Sequence, residues 1–373
     1  MPIISEIWHG TNLFLQRIDS NIFEDVSYDD AQNDSEDADT TDCCSVTNFT
    51  ACFETTNCSS TKEVLDIEIE SYYESSVDLV GLQVWRGALF LADYIIMHHV
   101  SFENKNVLEL AAGTGLTSIV AVLMNSKNMT EGNGSLICTD INRGPILPLI
   151  QRNFERNSIT LKKSWDATDQ TLKVKVAEID FFKEETYCDS TTKHETKDTK
   201  DKYCLHNTDH RLCENDLRNI DVIFAADVIY DGKITQAFFK CLYRLSSQAL
   251  SNTKNDHETC KRQKTLEIYL SIEKRCRVTA LKDETLYEKD SSEEKSKEEG
   301  LIKNNTSSSD VFAPNYDIFV DKLNTFIHSF NNKHFLCNVE EISPSLVNQY
   351  FLSYERVEEL VLFKLTITCK ELL

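Results

Sequence analysis

Hydrophobic positions along this chain change period repeatedly, from strand-like runs and alternations to the three-and-four spacing of helices. Leu65, Ile67 and Ile69 alternate with Val64, Asp66, Glu68 and Glu70, which predicts a strand. Ala88 to His99 follows with a broad apolar face of helical spacing. Apolar runs at 107–110, 135–140, 172–180, 220–227 and 265–273 have the length and composition of buried strands. Helical patterns separate them: one from Leu116 through Ile119, Val120 and Leu123, then 146–157 and 233–250. A last helix, 317–330, turns Phe319, Leu323, Phe326, Ile327 and Phe330 inward and precedes two closely spaced strands, 334–342 and 357–368. Strands alternating with helices predict an α/β fold, a doubly wound and mainly parallel sheet covered on both faces. The last two strands are close enough to pair as a hairpin, which makes one terminal strand antiparallel.

The first buried strand organises the rest. Val107-Leu108-Glu109-Leu110 ends in Ala111-Ala112-Gly113-Thr114-Gly115, and a helix begins at once. Small residues at a strand-to-helix turn let a ligand approach the backbone, with the helix amides facing it. The next strand ends in Asp140, 25 positions after Gly115. That is near the spacing at which an acid accepts hydrogen bonds from a ribose. Asp180, Asp227 and Tyr230 also fall at predicted strand ends, where ligands sit in such sheets.

Composition narrows the classes. With 373 residues, 41% of them hydrophobic, the chain can bury one large core. Thirty-nine basic against 61 acidic residues give a formal net charge of −22, which argues against a nucleic-acid-binding surface and suits a basic partner. Thirteen cysteines lie scattered without zinc-ligand spacing, so no metal site is expected and reduced thiols in cytoplasm or nucleus are. The first residues lack the pattern of a signal peptide, and the run 89–97, broken by Asp93, is too short to span a bilayer. Residues 1–62, acid-rich between Glu24 and Asp42, read as a poorly ordered tail; 63–373 reads as the folded domain. Two polar stretches, 184–219 and 283–310, read as mobile insertions.

VLELAAGTGL, CTDI, EIDFF and FAADVIYD, in that order, resemble the motifs of the seven-stranded, Rossmann-like, S-adenosylmethionine-dependent methyltransferases. More narrowly, Asp227-Val228-Ile229-Tyr230 resembles the Asp-x-x-Tyr signature of a protein-lysine methyltransferase group. The likeness covers about Leu65 to the C-terminus apart from the insertions. It implies that Ala111, Ala112, Gly113 and Gly115, beside Glu109, line the methionine part of the cofactor. It implies further that Asp140 holds the ribose, that Asp180 and Phe181 meet the adenine, that Trp85 closes over the cofactor and that Ala226 packs against the cofactor. Asp227 and Tyr230 would face the substrate. Two departures stand out: alanine at 111 and 112, where relatives usually have at least one glycine, and Phe181 in place of a common tryptophan.

Methyl transfer from a sulfonium is an in-line displacement, so the enzyme supplies orientation and a dry site. A lysine nucleophile must first lose its proton, and burial near a cation favours that loss. Asp227 would orient the arriving ammonium and Tyr230 its lone pair; the alternative for Asp227 is a helix N-cap. The expected partner is a basic protein substrate, with no nucleic acid, no membrane and a monomeric enzyme. The competing readings are a methyltransferase for small molecules or other protein residues, and a cofactor-binding scaffold with little turnover.

Overall fold

The structure, a computed structural model, describes residues 44–55, 61–126, 134–162, 173–183, 187–188, 212–251, 264–275 and 314–370. The described chain opens on β1 (Cys44–Thr55) and β2 (Thr61–Tyr72). A 3₁₀ segment, Val77–Leu82, leads to α1 (Arg86–Met97) and the short α2 (His99–Phe102). Then come β3 (Asn106–Leu110), α3 (Leu116–Ser126), β4 (Ser135–Asp140), α4 (Ile146–Arg156) and β5 (Lys173–Glu178). The two-residue strands β6 (Tyr187–Cys188) and β7 (Leu212–Cys213) pair with each other, and α5 (Glu214–Arg218) follows. The chain ends with β8 (Val222–Ala226), α6 (Gly232–Leu250), β9 (Thr265–Glu273), α7 (Pro314–Asn331), β10 (Phe335–Ile342) and β11 (Leu360–Cys369).

Seven strands form one sheet in the order β10-β11-β9-β8-β3-β4-β5. β3, β4, β5, β8 and β9 run parallel; β11, the last in the chain, is antiparallel to both neighbours and lies one place in from the edge. Alternate residues of β3 serve opposite layers. Val107 joins a core with α1, α3, α4 and the β1–β2 hairpin, while Leu108 and Leu110 join one with α5, α6 and α7. Each fully buried leucine, isoleucine or phenylalanine in these layers contributes about 1.5–3 kcal/mol of transfer free energy. The chain winds outward from β3 through β4 to β5 and restarts at β8, beside β3. That restart is the topological switch point, where such sheets open a crevice at their carboxyl edge.

β1 corrects the expected tail. Phe49, Ala51 and Phe53 alternate inward, and β1 pairs with β2 over its whole length. The outer edge of β2 meets side chains of α4 and its C-cap, Asn157. Asn153 Oδ1 accepts from the Glu70 amide at 2.7 Å and its Nδ2 donates to the Glu70 carbonyl at 3.0 Å; Asn157 treats Glu68 alike at 3.0 and 2.8 Å. Two asparagines thereby stand in for a strand. Arg152 and Arg156 close on the Glu70 carboxylate at 2.7 and 3.0 Å, and the hydrogen bond from Arg152, ahead of Arg156, holds that carboxyl below its ordinary range. Residues 24–42 and the expected insertion 283–310 lie outside the described residues. So does most of 184–219, but its end is structured: Leu212 and Leu217 are buried in the second core.

Candidate functional site

The turn from β3 into α3 is built on left-handed backbone. Ala111 (φ 52°), Gly113 (φ 59°) and Gly115 (φ 80°) alternate through it. Glycine takes such angles freely, whereas alanine at 111 carries about 1–2 kcal/mol of strain. Glycine would be the less strained residue at this position. The Gly113 amide donates to Asp140 Oδ2 at 2.8 Å, and the Ile141 amide donates to Oδ1 at 2.7 Å. The end of β4 is thus tied across to the turn. The 3₁₀ segment crosses above both: a Cβ on Gly113 would stand 3.1 Å from the Gly81 carbonyl, and one on Gly81 3.7 Å from Asp140 Oδ2. Asn153 also donates to the Thr114 carbonyl at 2.9 Å, so one side chain joins the hairpin to the turn.

Glu109 faces inward, away from the crevice. It is 1% exposed, lies against α3, and accepts from the Ser118 hydroxyl; the Cys138 thiol stands 3.9 Å from the same oxygen. Burial lifts the Glu109 carboxyl to about 7, against the pull of the Ser118 and Thr117 bonds. Burial also lifts Asp140 to about 6, although the Gly113 and Ile141 amides pull it down. An acid raised in the folded state holds its proton where the unfolded chain has lost it. Its stabilising share is complete below the ordinary value of 4.5 for Glu109 and is lost as pH rises through about 7. Glu109→Gln is therefore expected to flatten the fall in stability across that window, by roughly 3 kcal/mol at its upper end. Urea midpoints measured between pH 4.5 and 8 check this, and parallel profiles for the two proteins would refute it.

At the end of β8, Asp227 also takes a left-handed angle, φ 53°. Its carboxylate accepts from the Gly87 amide in the first turn of α1 at 2.7 Å and from the Glu273 amide at 3.3 Å. Its own amide donates to the Ser271 carbonyl at 2.9 Å. The N-cap of the following helix, α6, is Asp231, whose Oδ1 accepts from Lys233 and Ile234, both at 2.8 Å. Asp227 is therefore tied to α1 and β9. Tyr230 is partly buried, and its carbonyl accepts from Asn315 of α7 at 2.8 Å. Ala226 pairs with Ser271 just below. Trp85 donates its indole N–H to the Val80 carbonyl at 2.9 Å, and the Arg275 guanidinium lies 4.7 Å over its ring.

Asp180 follows β5 and accepts from the Phe182 amide at 3.0 Å. The Phe181 ring meets Phe238 of α6 edge-on at 5.4 Å. The structure thus brings together Gly113, Asp140 and the 3₁₀ segment in one group, and Asp227, Trp85 and the start of α1 in another. Glu109 turns into the interior instead, and the partly buried Phe181 packs against the second core. Sequence reasoning missed Arg86, Gly87 and Glu273, which surround Asp227. They lie in the stretches 81–95 (GLQVWRGALFLADYI) and 271–275 (SIEKR), and nothing local in either shows that the two meet. Among the described residues, no group of three or more His, Cys, Asp or Glu side chains is arranged to hold a metal.

The lysine methyltransferase family model matches residues 62–186. Methyltransferase-like protein 22 of Homo sapiens is 36% identical over 185 residues, covering 48% of this chain and 38% of that protein. Its Mus musculus counterpart is 37% identical over 184 residues, covering 48% and 39%. The Homo sapiens protein-lysine N-methyltransferase EEF2KMT is 26% identical over 172 residues, covering 46% and 42%. The matched part is thus about two-fifths of the length of each relative. Among solved structures, a class I S-adenosylmethionine-dependent methyltransferase of Listeria monocytogenes aligns over 80% of this chain and 63% of that one. Its identity is 8% and its TM-score 0.34, too low to carry an argument. Residues 62–186, from β2 through the β3–α3 turn to just past β5, are thus the part of this chain that is similar to the lysine methyltransferase family.

Proposed function

We propose that this chain is an S-adenosylmethionine-dependent methyltransferase that moves a methyl group to a lysine side-chain amine of a protein. The observation that carries the reading is the Asp140 carboxylate turned onto the Gly113 amide across the ends of β4 and β3, with Asp227 at the end of the adjoining β8. The donor set fits the cofactor. Asp140 keeps lone pairs beyond its two amide bonds for a ribose diol. Gly113 and Gly115 keep the turn open at angles that a larger side chain would strain. The resemblance assigns the adenine to Asp180 and the partly buried Phe181, just beyond β5, and the methionine side to Ala111 and Ala112, with Trp85 closing over the cofactor and Ala226 packing against it; Glu109, turned inward, would act from beneath the turn. When bound, the cofactor supplies an electrophilic methyl on a sulfonium.

This chain's residues do the rest. Asp227 orients the arriving ammonium, and Tyr230 aligns the nitrogen once its proton has left. The net charge of −22 supports a basic substrate protein and disfavours nucleic acid. We assign the protein to nucleus or cytoplasm as a monomer; the buried thiols of Cys138, Cys241 and Cys337 support a reducing compartment. The test is incubation with labelled S-adenosylmethionine and a soluble cell extract, followed by acid hydrolysis. Label is expected in methyl-lysine and is expected to disappear with Asp227→Ala. Label in arginine, histidine or a nucleobase would overturn the lysine assignment.

A further inference from the structure

Consecutive residues at the start of α1 meet different groups at the tops of β8 and β9. Arg86 grips the Glu273 carboxylate with both arms of its fork, Nη2 to Oε1 at 2.7 Å and Nε to Oε2 at 3.2 Å. The next residue, Gly87, donates its amide to Asp227 Oδ2 at 2.7 Å. The other Asp227 oxygen accepts from the backbone amide of Glu273 itself, at 3.3 Å. Glu273 therefore acts on Asp227 twice, directly through its amide and indirectly through the Arg86 fork that sets the helix end. The fit leaves no room for drift: a Cβ on Gly87 would stand 2.6 Å from Asp227 Oδ2. Both side chains of the ion pair are nearly covered, 12% exposed for Arg86 and 8% for Glu273. A two-bond guanidinium–carboxylate fork fixes distance and orientation together, which a lysine cannot do.

We infer that the Arg86–Glu273 pair is a positioning device that aims the Asp227 carboxylate at the substrate amine. The inference rests on the lysine methyltransferase reading above. Each Asp227 oxygen gives one lone pair to a backbone amide and keeps another for an incoming ammonium. The two amides prevent the carboxylate from rotating, and the left-handed backbone at Asp227 is over-determined by the same bonds. A displacement of about 1 Å in such a group costs on the order of 100-fold in rate. Neither Arg86 nor Glu273 need touch the reacting atoms for this to hold.

The variants Glu273→Gln and Arg86→Lys test it. Glu273→Gln removes one charge and half of the fork, and Arg86→Lys keeps the charge and loses the fork. Three quantities are measured: transfer of labelled methyl to lysines of a soluble protein extract, the dissociation constant for S-adenosylhomocysteine, and the thermal midpoint. Both variants are expected to lose roughly 10- to 100-fold in transfer rate, while the dissociation constant stays within about twofold. If Glu273→Gln does not fold, Arg86→Lys carries the test alone. Unchanged transfer would overturn the proposal. So would a parallel loss of transfer, cofactor-product affinity and thermal midpoint, because the pair would then only prop up α1. A wild-type protein that binds S-adenosylhomocysteine but labels no lysine would overturn the underlying reading, and the positioning role with it.

Discussion

Asp93→Ala is expected to destabilise the fold by about 3–5 kcal/mol, the cost of removing one partner from a buried charge network. Asp93 sits in the middle of α1 and is 0% exposed. One oxygen accepts from the amides of Tyr350 and Phe351 at 2.8 and 3.0 Å. The other accepts from the Tyr354 hydroxyl at 2.7 Å and from the Arg356 guanidinium. Burial pushes this carboxyl above its ordinary value, while Tyr354, Phe351, Arg356 and Tyr350 pull it back. Alanine would leave a phenol O–H and two amides without their acceptor, and would strip the Arg356 guanidinium of its counter-ion, leaving it only the Tyr354 hydroxyl and the carbonyls of Pro344, Val347 and Asn348. The damage would spread, because Phe351 forms an antiparallel bridge to Ala51 of β1. Urea unfolding monitored by far-UV circular dichroism gives the number; a loss below about 1 kcal/mol would mean that water or rearrangement replaces the network.

The second large effect concerns the cofactor. Asp140→Ala is expected to weaken binding of S-adenosylhomocysteine by roughly 100- to 1,000-fold, with a much smaller effect on global stability. A carboxylate bond to a ribose hydroxyl contributes on the order of 1.5–3 kcal/mol, and a diol offers two. The same carboxylate anchors the Gly113 amide, so its loss also frees the turn. Calorimetric titration provides the check. Affinity within about fivefold of wild type would place the cofactor elsewhere. Asp140→Asn keeps the shape and an acceptor oxygen, and is expected to fall between the two.

The two variants probe acids that the sequence presented very differently. Asp140 ends a strand at a spacing with a known mechanical meaning, so it was legible as a candidate. Asp93 looked like an interruption in an apolar run. Its partners lie more than 250 residues away, between β10 and β11, and no periodicity links them. The β1 strand shows the same limit from another side. Phe49, Ala51 and Phe53 alternate as a strand should, yet twelve residues next to an acidic stretch do not announce a fold. Only pairing with β2, and the asparagines of α4 and its C-cap beyond it, make that segment stable.

Function divides along the same line. Asp227 was readable as a candidate from its strand end and its neighbour Tyr230. That its carboxylate is held by the start of α1, 140 positions earlier, was not. The N-cap alternative for Asp227 falls away because Asp231 takes the cap of α6. Glu109 stands in the organising motif, yet alternation along β3 turns it into the core against Ser118. Phe181 likewise meets Phe238 of α6.

By itself, the sequence determined the order of strands and helices, the small-residue turn after β3 and the acids at the strand ends, because each depends on residues near in the chain. The tertiary structure alone decided which strand ends adjoin, which carboxylates are buried, and that α1 and β9 hold Asp227 between them. Those outcomes depend on contacts between segments far apart in sequence, and a period of two or of 3.6 residues carries no information about which distant partner a side chain will meet.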